Sequence, residues 1–539
     1  TLFAVIGPWL KGINASDGWC HFPGAEAVEP CRFSGDRGTL QDCSSASHWK
    51  ERCGRTEEES AMTNDTTRTI SSIINGKPRR MDVPPREIHS PYDGRVVTHL
   101  CGADGQLLEE AIQTADTMRE TMKRLPPHER ADILERFAVL VADHRAELAL
   151  LLCEEAGKPI TLAGQEVDRC VQTILDAAHC VRYPHEELVP LAGSVYGAGR
   201  QGILKRFPLG IIAAITPFNF PLNLVAHKIA PAIAAGCTVV LKPATQTSSP
   251  GVRLVELAQE AGLPLGAINV VLLGGSQADP LVTDERIRLV TFTGSMDVGW
   301  GIKARCGKKK VALELGGNAG AIVEPDCDLD YAAKRISGGA FGYAGHSCIS
   351  VQRVFVNQKV ADEFTAKIKS AAEAFPTGDP AEETVLCGPL IDRANADRVE
   401  QWIAAAVARG AKILTGNTRN GSVIQPTVLT DVLEDCDVSC AEVFGPVMTL
   451  TPYAWLDEAL AHVNNSRYGL QAGIFTHDLR SIWKAYETIE VGGVIQNDVP
   501  TFRVDQMPYG GVKDSGLGRE GARYAIEEMT EPRLLVITT

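Results

Sequence analysis

The chain reads as an α/β protein built from two parallel-sheet lobes in tandem. Three observations predict this. At 539 residues it is too long for one ordinary hydrophobic core. Beyond Gly210, short β-rich runs alternate with helical stretches, the pattern of βαβ units whose helices cover both faces of a sheet. A second such series starts at Ala321-Ile322-Val323 and runs past Val354-Phe355-Val356 to about Gly493, with no repeat or low-complexity linker between the two.

The elements follow in order. Ile73-Ile74-Asn75-Gly76-Lys77 is a short strand entering a turn, and Pro91-Tyr92-Asp93-Gly94 is another turn. Apolar residues at helical spacing run through 107–122, 129–142 and 146–156, and Gly157-Lys158-Pro159 closes the last of these helices with glycine before proline. Strands 211–216, 238–241, 268–273 and 288–292 then alternate with helices 222–235 and 253–261.

Composition excludes several classes. A chain with 44% hydrophobic and 22% charged residues has enough apolar surface for a substantial core, so global disorder is excluded. With 53 basic against 67 acidic residues, the net charge of −14 argues against a broad nucleic-acid surface, while leaving room for a local cationic pocket. No apolar run approaches the roughly 20 residues that cross a bilayer, so no membrane partner is expected. The 15 cysteines show no Cys-x-x-Cys pair and no Cys/His zinc spacing, and Cys101, Cys153, Cys170 and Cys237 sit singly in apolar runs. Reduced thiols in the cytoplasm and no metal site are expected. Residues 1–61 stand apart: they precede Met62, hold four of the cysteines, and lack sustained periodicity, so a poorly ordered extension is expected.

Gly197-Ala198-Gly199-Arg200-Gln201-Gly202 fits the Gly-x-Gly-x-x-Gly pattern of dinucleotide sites. That fingerprint works only where the glycines let a helix N-terminus approach a pyrophosphate, and here the strand-like 203–207 follows. A glycine-rich hairpin is the better reading. Phe292-Thr293-Gly294-Ser295 ends a strand and precedes the helical 296–303, so it is the stronger phosphate candidate. Gly294 and Gly299 permit close backbone approach, and the turn at Ser295 offers amides to phosphate. Alone the segment is weak, since many α/β turns contain Gly-Ser.

Five further segments are more specific as a set: Pro217-Phe218-Asn219-Phe220-Pro221, Lys242-Pro243-Ala244, Glu314-Leu315-Gly316-Gly317, Gly345-His346-Ser347-Cys348 and Glu442-Val443-Phe444-Gly445-Pro446. In order and spacing, with 23 residues from Asn219 to Lys242 and 34 from Glu314 to Cys348, residues 72–537 closely resemble the aldehyde dehydrogenase superfamily. The wording is nearest to lactaldehyde, phosphonoacetaldehyde and semialdehyde dehydrogenase-like members.

The resemblance implies a Rossmann-like cofactor domain, an α/β catalytic domain and a small β oligomerisation element. It assigns 62–190 and 209–316 to the NAD(P)-binding domain, 317–515 to the catalytic domain, and 191–208 with 516–539 to the oligomerisation element. An exposed strand pair of that kind needs covering, so a homodimer or homotetramer is expected.

It also implies NAD(P)-dependent oxidation of an aldehyde to a carboxylate. Cys348 is the expected nucleophile, on a polar loop or helix end where a thiol pKa can fall. Asn219 and the Cys348 main-chain N–H would hold the thiohemiacetal oxyanion, one such donor lowering the barrier by about 3–4 kcal/mol. Glu314 would activate water against the thioester. Lys242 and Glu442 would hold the cofactor riboses, with Phe444 against the nicotinamide. Singly, each has an ordinary alternative: a small buried hydrophobe, a turn residue between prolines, a solvated strand-end acid, a surface lysine, a helix-capping acid. Lys158 also matches a family segment and reads as structural. Acyl-transferring relatives, which pass the thioester to coenzyme A or phosphate, commonly lack the Glu314 base. A catalytically silent protein on this fold has no reason to keep the whole set.

Three positions bear on specificity. Thr245 stands where members strict for NAD often carry a glutamate that repels a 2′-phosphate, so NADP is expected to be accepted beside NAD, with preference for it open. The segment 499–511 resembles the family's substrate tunnel and contains Arg503 and Tyr509; a guanidinium there predicts a small polar or anionic aldehyde, while pairing of Arg503 with Asp505 or Glu520 is the competing reading. His346 stands where many relatives have glutamine, either as a charged tuner of the thiol or as a neutral lining residue.

Overall fold

A computed structural model describes residues 67–184 and 186–538, so the expected extension 1–61 lies outside the described residues. The alternation beyond Gly210 folds as five parallel strands, in spatial order Lys310–Glu314, Ile287–Thr293, Ile211–Ile215, Thr238–Lys242 and Ile268–Val270. Ile211–Ile215 and Thr238–Lys242 are buried at every position, as strands covered on both faces must be. Ile212, Ala214, Val239 and Leu241 enter one apolar cluster and Ile211, Ala213, Ile215 and Val240 another, which is the strand period of two. The chain moves outward from Ile211–Ile215 through two strands and then returns to its other side at Ile287–Thr293. That reversal is a topological switch point, and a crevice opens beyond the carboxyl ends of the two strands.

The sheet grows to ten strands. Arg68–Ile74, Lys77–Arg79, Val96–Cys101 and Arg86–His89 extend one side, and Gly516–Leu517 pairs antiparallel with Lys310–Glu314 on the other. Helix Asn223–Ala235 follows the central strand and is buried at all its positions, so its polar Asn223, His227 and Lys228 need partners inside the protein. Beside it lies Ile160–Arg182, a 23-residue helix for which the sequence reading made no provision.

The second sheet runs Lys412–Thr415, Thr427–Thr430, Val447–Tyr453, Val351–Asn357, Ala319–Val323, Gln471–Phe475, Gly493–Gln496, parallel except for the first pair. A third, antiparallel sheet joins Glu187–Val189, Arg200–Pro208 and Thr530–Thr538. Gly202 is paired on both sides there, so the Gly-x-Gly-x-x-Gly run ends inside a hairpin.

The arm departs from its expected limits. Gly516–Leu517 belongs to the first sheet, and Ala522 and Met529, on and just after helix Ala522–Glu528, join the first core, because that amphipathic turn buries its apolar side on the lobe. Only Thr530–Thr538 leaves it, while Glu187–Val189, expected in the cofactor lobe, is part of the arm.

Candidate active site

The crevice opens into a cavity of about 1050 Å³, at the upper end of the range for small-molecule sites. Strand ends of the first sheet bring Asn219, Lys242, Gly294, Ser295 and Glu314 to its wall. Cys348, Glu442 and Phe444 close it from the second lobe, and Arg503 and Tyr509 from the loop that follows that sheet.

Two predicted residues stay off the wall. Thr245 opens the turn Thr245–Thr247, one position behind the lining Ala244. Gly299 is buried in helix Met296–Arg305, where a Cβ would collide with the Leu315 side chain. Its missing side chain serves helix-to-strand packing, and the cavity face of that helix is Asp297, Val298, Gly301, Ile302 and Arg305.

Cys348 follows helix Leu329–Phe341 and the turn Gly342–Gly345. A Cβ on Gly317 would collide with the Cys348 carbonyl and one on Gly316 with the Glu442 carboxylate, which explains why two glycines follow Glu314-Leu315. The Sγ of Cys348 lies 3.0 Å from the Tyr509 hydroxyl. Burial pushes the thiol up to about 12, against the Tyr509 hydrogen bond. The expected fall in thiol pKa is therefore not what this environment gives: an apolar surround penalises the thiolate more than one hydroxyl and the Arg503 charge favour it. The Asn219 side-chain amide donates to the His346 carbonyl at 2.9 Å, which orients it and leaves its second N–H for a ligand. The His346 ring is enclosed by Phe218, Tyr343 and Phe444, and burial, helped by Lys158 and Arg398, lowers its pKa to about 3. It is neutral, so the charged-tuner reading falls.

Glu314 is buried, one of its carboxylate oxygens has no partner among the described residues, and burial with the nearby Glu520 charge raises its pKa well above the usual carboxylate range. Burial would raise Glu520 too, but Lys228, His227 and Arg503 hold it down to about 2. Of the two acids, Glu520 carries the charge and Glu314 the proton. Lys228 reaches Thr291 at 3.0 Å and Glu520 at 3.5 Å.

Arg503 does pair with Glu520, at 2.9 Å, and also lies over the Tyr509 ring at 3.8 Å and lines the cavity with its Nε unpartnered among the described residues. A second guanidinium, Arg169, lines the same end and is bound to Asp505 through two contacts of 2.7 and 3.1 Å. Asp505 also accepts from Asn223 at 3.1 Å and lies 2.9 Å from the His227 ring.

The other end fits a dinucleotide. Lys242 is buried with only a 3.4 Å contact to its neighbour's carbonyl, and the hydroxyls of Thr216 and Thr293 are buried on the wall without partners among the described residues. Such polar atoms call for a hydrogen-bonding ligand. Glu442 accepts from the Gly317 N–H at 2.9 Å, and burial raises its pKa to about 7.

Sequence reasoning missed Arg169 and Lys228, and named Glu520 and Asp505 only as alternative partners of Arg503. Arg169 lies on the unassigned helix, three residues after a buried Glu166, and the apolar spacing of Val167, Cys170, Ile174 and Val181 is the signal that would have found it.

An α/β oxidoreductase with a cysteine at the mouth of a dinucleotide-sized crevice is the class that fold and cavity define. A sequence model of the aldehyde dehydrogenase family matches residues 81–535. The chain is 42% identical to the 3-sulfolactaldehyde dehydrogenase of Priestia aryabhattai over 84% of its own length and 94% of the relative's. Its structure is similar to aldehyde dehydrogenase 21 (ALDH21) from Physcomitrella patens in complex with the reaction product succinate, at a TM-score of 0.86, 42% identity and coverage of 88% and 99%. It is also similar to the glyceraldehyde-3-phosphate dehydrogenase GapN of Methanocaldococcus jannaschii complexed with NADP, at 0.82, 37%, 85% and 100%. The chain belongs to the aldehyde dehydrogenase family and is an oxidoreductase acting on aldehydes.

Proposed function

We propose that the enzyme oxidises a small anionic aldehyde with NADP or NAD, through a thioester on Cys348 that water hydrolyses. The observation that carries this is the convergence of Cys348, Asn219 and Glu314 on one cavity whose far end is walled by Lys242 and Glu442. The Cys348 thiol gives its proton to water in the cavity, and the Tyr509 hydroxyl, 3.0 Å away, donates to the thiolate that remains. Sulfur adds to the carbonyl, and the oxyanion meets the Asn219 amide, already turned by the His346 carbonyl, and the Cys348 main-chain N–H. A nicotinamide dinucleotide held here would supply the acceptor for the hydride that leaves as the oxyanion collapses. Lys242 and Glu442 would hold its riboses, Gly294 and Ser295 would meet its phosphates, and Phe444 would pack on the nicotinamide. Water then attacks the thioester and gives its proton to the ionised form of Glu314 as the Cys348 thiolate leaves; the raised pKa moves that ionisation, and so the hydrolytic step, to higher pH. The unpartnered Glu314 oxygen supports hydrolysis over transfer to coenzyme A or phosphate.

Arg503 and Arg169 support the anionic substrate, and the sulfonate and the succinate named for two relatives are anions of the kind a guanidinium fork receives. Acceptance of NADP is supported by the GapN relative, which is complexed with NADP. The first sheet with its helices would serve the dinucleotide, the second the thiol, and the third sheet the assembly of a dimer or tetramer in the cytoplasm.

Steady-state and intact-mass measurements test this. Carboxy-, sulfo- and phospho-aldehydes are expected to exceed alkyl aldehydes of equal length by roughly tenfold or more in kcat/KM. Cys348→Ala is expected to be inactive, Asn219→Ala to lose roughly 10²–10³ in kcat, and Glu314→Gln to accumulate an acyl adduct on Cys348. Turnover by Cys348→Ala would overturn the covalent route, and a preference for alkyl aldehydes the substrate class.

A further inference from the structure

We propose that Lys158 is a positioning residue whose ammonium ties the loop carrying Asn219 to the loop carrying Cys348. This rests on the roles given above to those two residues. Lys158 is 1% exposed and stands just before Pro159 and helix Ile160–Arg182. Its ammonium donates to the main-chain carbonyl of Asn219 at 3.2 Å. It also lies over the Phe220 ring, 3.6 Å from the centroid, and over the Tyr343 ring at 4.5 Å. Phe220 adjoins Asn219 and Tyr343 precedes Cys348 by five residues, so the cation joins one ring from each loop. The two rings meet edge to face at 6.0 Å. A desolvated ammonium is attracted to both aromatic faces, which makes one charge a two-sided clamp.

The counter-ion extends the hold. Glu166 pairs with Lys158, and its other oxygen accepts from the main-chain N–H groups of Leu222 and Asn223, each at 3.0 Å. The two ends of the Asn219 turn are thus pinned by one buried ion pair. The Cys348 side needs restraint too. Tyr343 and Ala344 both have φ of 52° before Gly345 at 71°, a left-handed run that non-glycine residues adopt only under external constraint. The Tyr343 N–H donates to Leu386 at 2.8 Å, and its ring rests on Lys158.

The charged or titratable groups facing Lys158 are Glu166 and Arg169 from the following helix, and Tyr343 and the neutral His346 from the Cys348 loop. Burial lowers the Lys158 pKa to about 8, against the pull of Glu166. The clamp therefore weakens as pH rises through 8, and kcat carries an alkaline limb there.

Kinetics of the full chain with its dinucleotide and aldehyde test the clamp in Lys158→Arg, Phe220→Leu and the double variant Lys158→Met with Glu166→Gln, which leaves no unpaired buried charge. The double variant is expected to lose roughly tenfold to a hundredfold in kcat, with the dinucleotide KM within about threefold of the parent. Phe220→Leu is expected to lose a smaller factor in kcat alone. The alkaline limb is expected to vanish from the double variant and to move upward in Lys158→Arg, whose guanidinium keeps its proton. A folded double variant with kcat within about threefold of the parent overturns the clamp. Should that variant not fold, unchanged kcat in Phe220→Leu with an unmoved limb in Lys158→Arg overturns it equally. Turnover by Cys348→Ala, run alongside, is the separate result that removes the covalent reading underneath.

Discussion

Glu442 is an acid whose pKa burial raises to about 7, in a position where its carboxylate faces the dinucleotide end of the cavity. An ionised carboxylate accepts hydrogen bonds at both oxygens, and protonation converts one of them to a donor. As pH falls through 7 the acceptor is lost, so dinucleotide affinity is expected to weaken between pH 8 and 6. A hydrogen bond to a charged group contributes about 1.5–3 kcal/mol, so the change amounts to roughly tenfold or more in Kd. Glu442→Gln is expected to bind weakly at every pH. Fluorescence titrations at pH 6, 7 and 8 check this, and a flat Kd in the parent would reject the role. At this scale Cys348, Asn219, Glu314, Lys242 and Glu442 were legible because each stands in a segment with its own order and spacing. Lys228 was not, because nothing in the letters says that it is 1% exposed and shares a site with Glu520. Thr245 and Gly299 were placed on the wall by proximity in sequence, and a single turn of backbone or one leucine side chain moves each behind it.

Helices Ile160–Arg182 and Asn223–Ala235 are joined to the loop after the second sheet by Asp505, which binds Arg169 on one and Asn223 and His227 on the other. Burial opposes the Asp505 charge, but His227 and Arg169 hold its pKa well below the usual carboxylate range. A depressed folded pKa contributes stability above the unfolded value, and this is lost as pH falls through the folded one. Asp505→Asn removes it at neutral pH and leaves Arg169 without its counter-ion, at an expected cost of about 3 kcal/mol, the lower end for a buried pair since Arg169 is partly exposed. Urea unfolding at pH 7 measures it, and a loss below about 1 kcal/mol would show the junction to be dispensable. The helix that carries Arg169 escaped the sequence reading for a physical reason. Gly164 and the buried Glu166 interrupt its apolar face, and the ion pair with Lys158 together with the Leu222 and Asn223 N–H groups makes a carboxylate tolerable there. By contrast, the strands at 211–215 and 238–242 were plain, because strands buried on both faces must be largely apolar.

The arm puts a demand on the molecule as a whole. Along Thr530–Thr538, Leu534, Leu535, Val536 and Ile537 are 46%, 57%, 47% and 39% exposed, and alternation places two on each face. Leu188, Val195 and Tyr196 add further exposed apolar surface on the same element or its loop. A short antiparallel sheet bare on both faces is an aggregation hazard unless another chain covers it, which supports a second copy as the cover. The parent is therefore expected to sediment as a multiple of 58.0 kDa. Charges in the outer half, Leu535→Asp with Ile537→Asp, are expected to release single chains. The root of the arm is set apart from this perturbation: the Met529 carbonyl accepts from the Leu209 N–H and the Cys237 thiol, and Lys310 reaches the Thr530 carbonyl at 3.2 Å. Cys348, Asn219 and Glu314 converge on one cavity within a single chain. Released chains should then keep the cavity, retaining kcat within about threefold while losing thermal stability. Sedimentation velocity and turnover on the same sample decide the matter. A parent that runs as a single chain at micromolar concentration removes the covering role, and released chains that lose kcat entirely would mean that the partner completes the site.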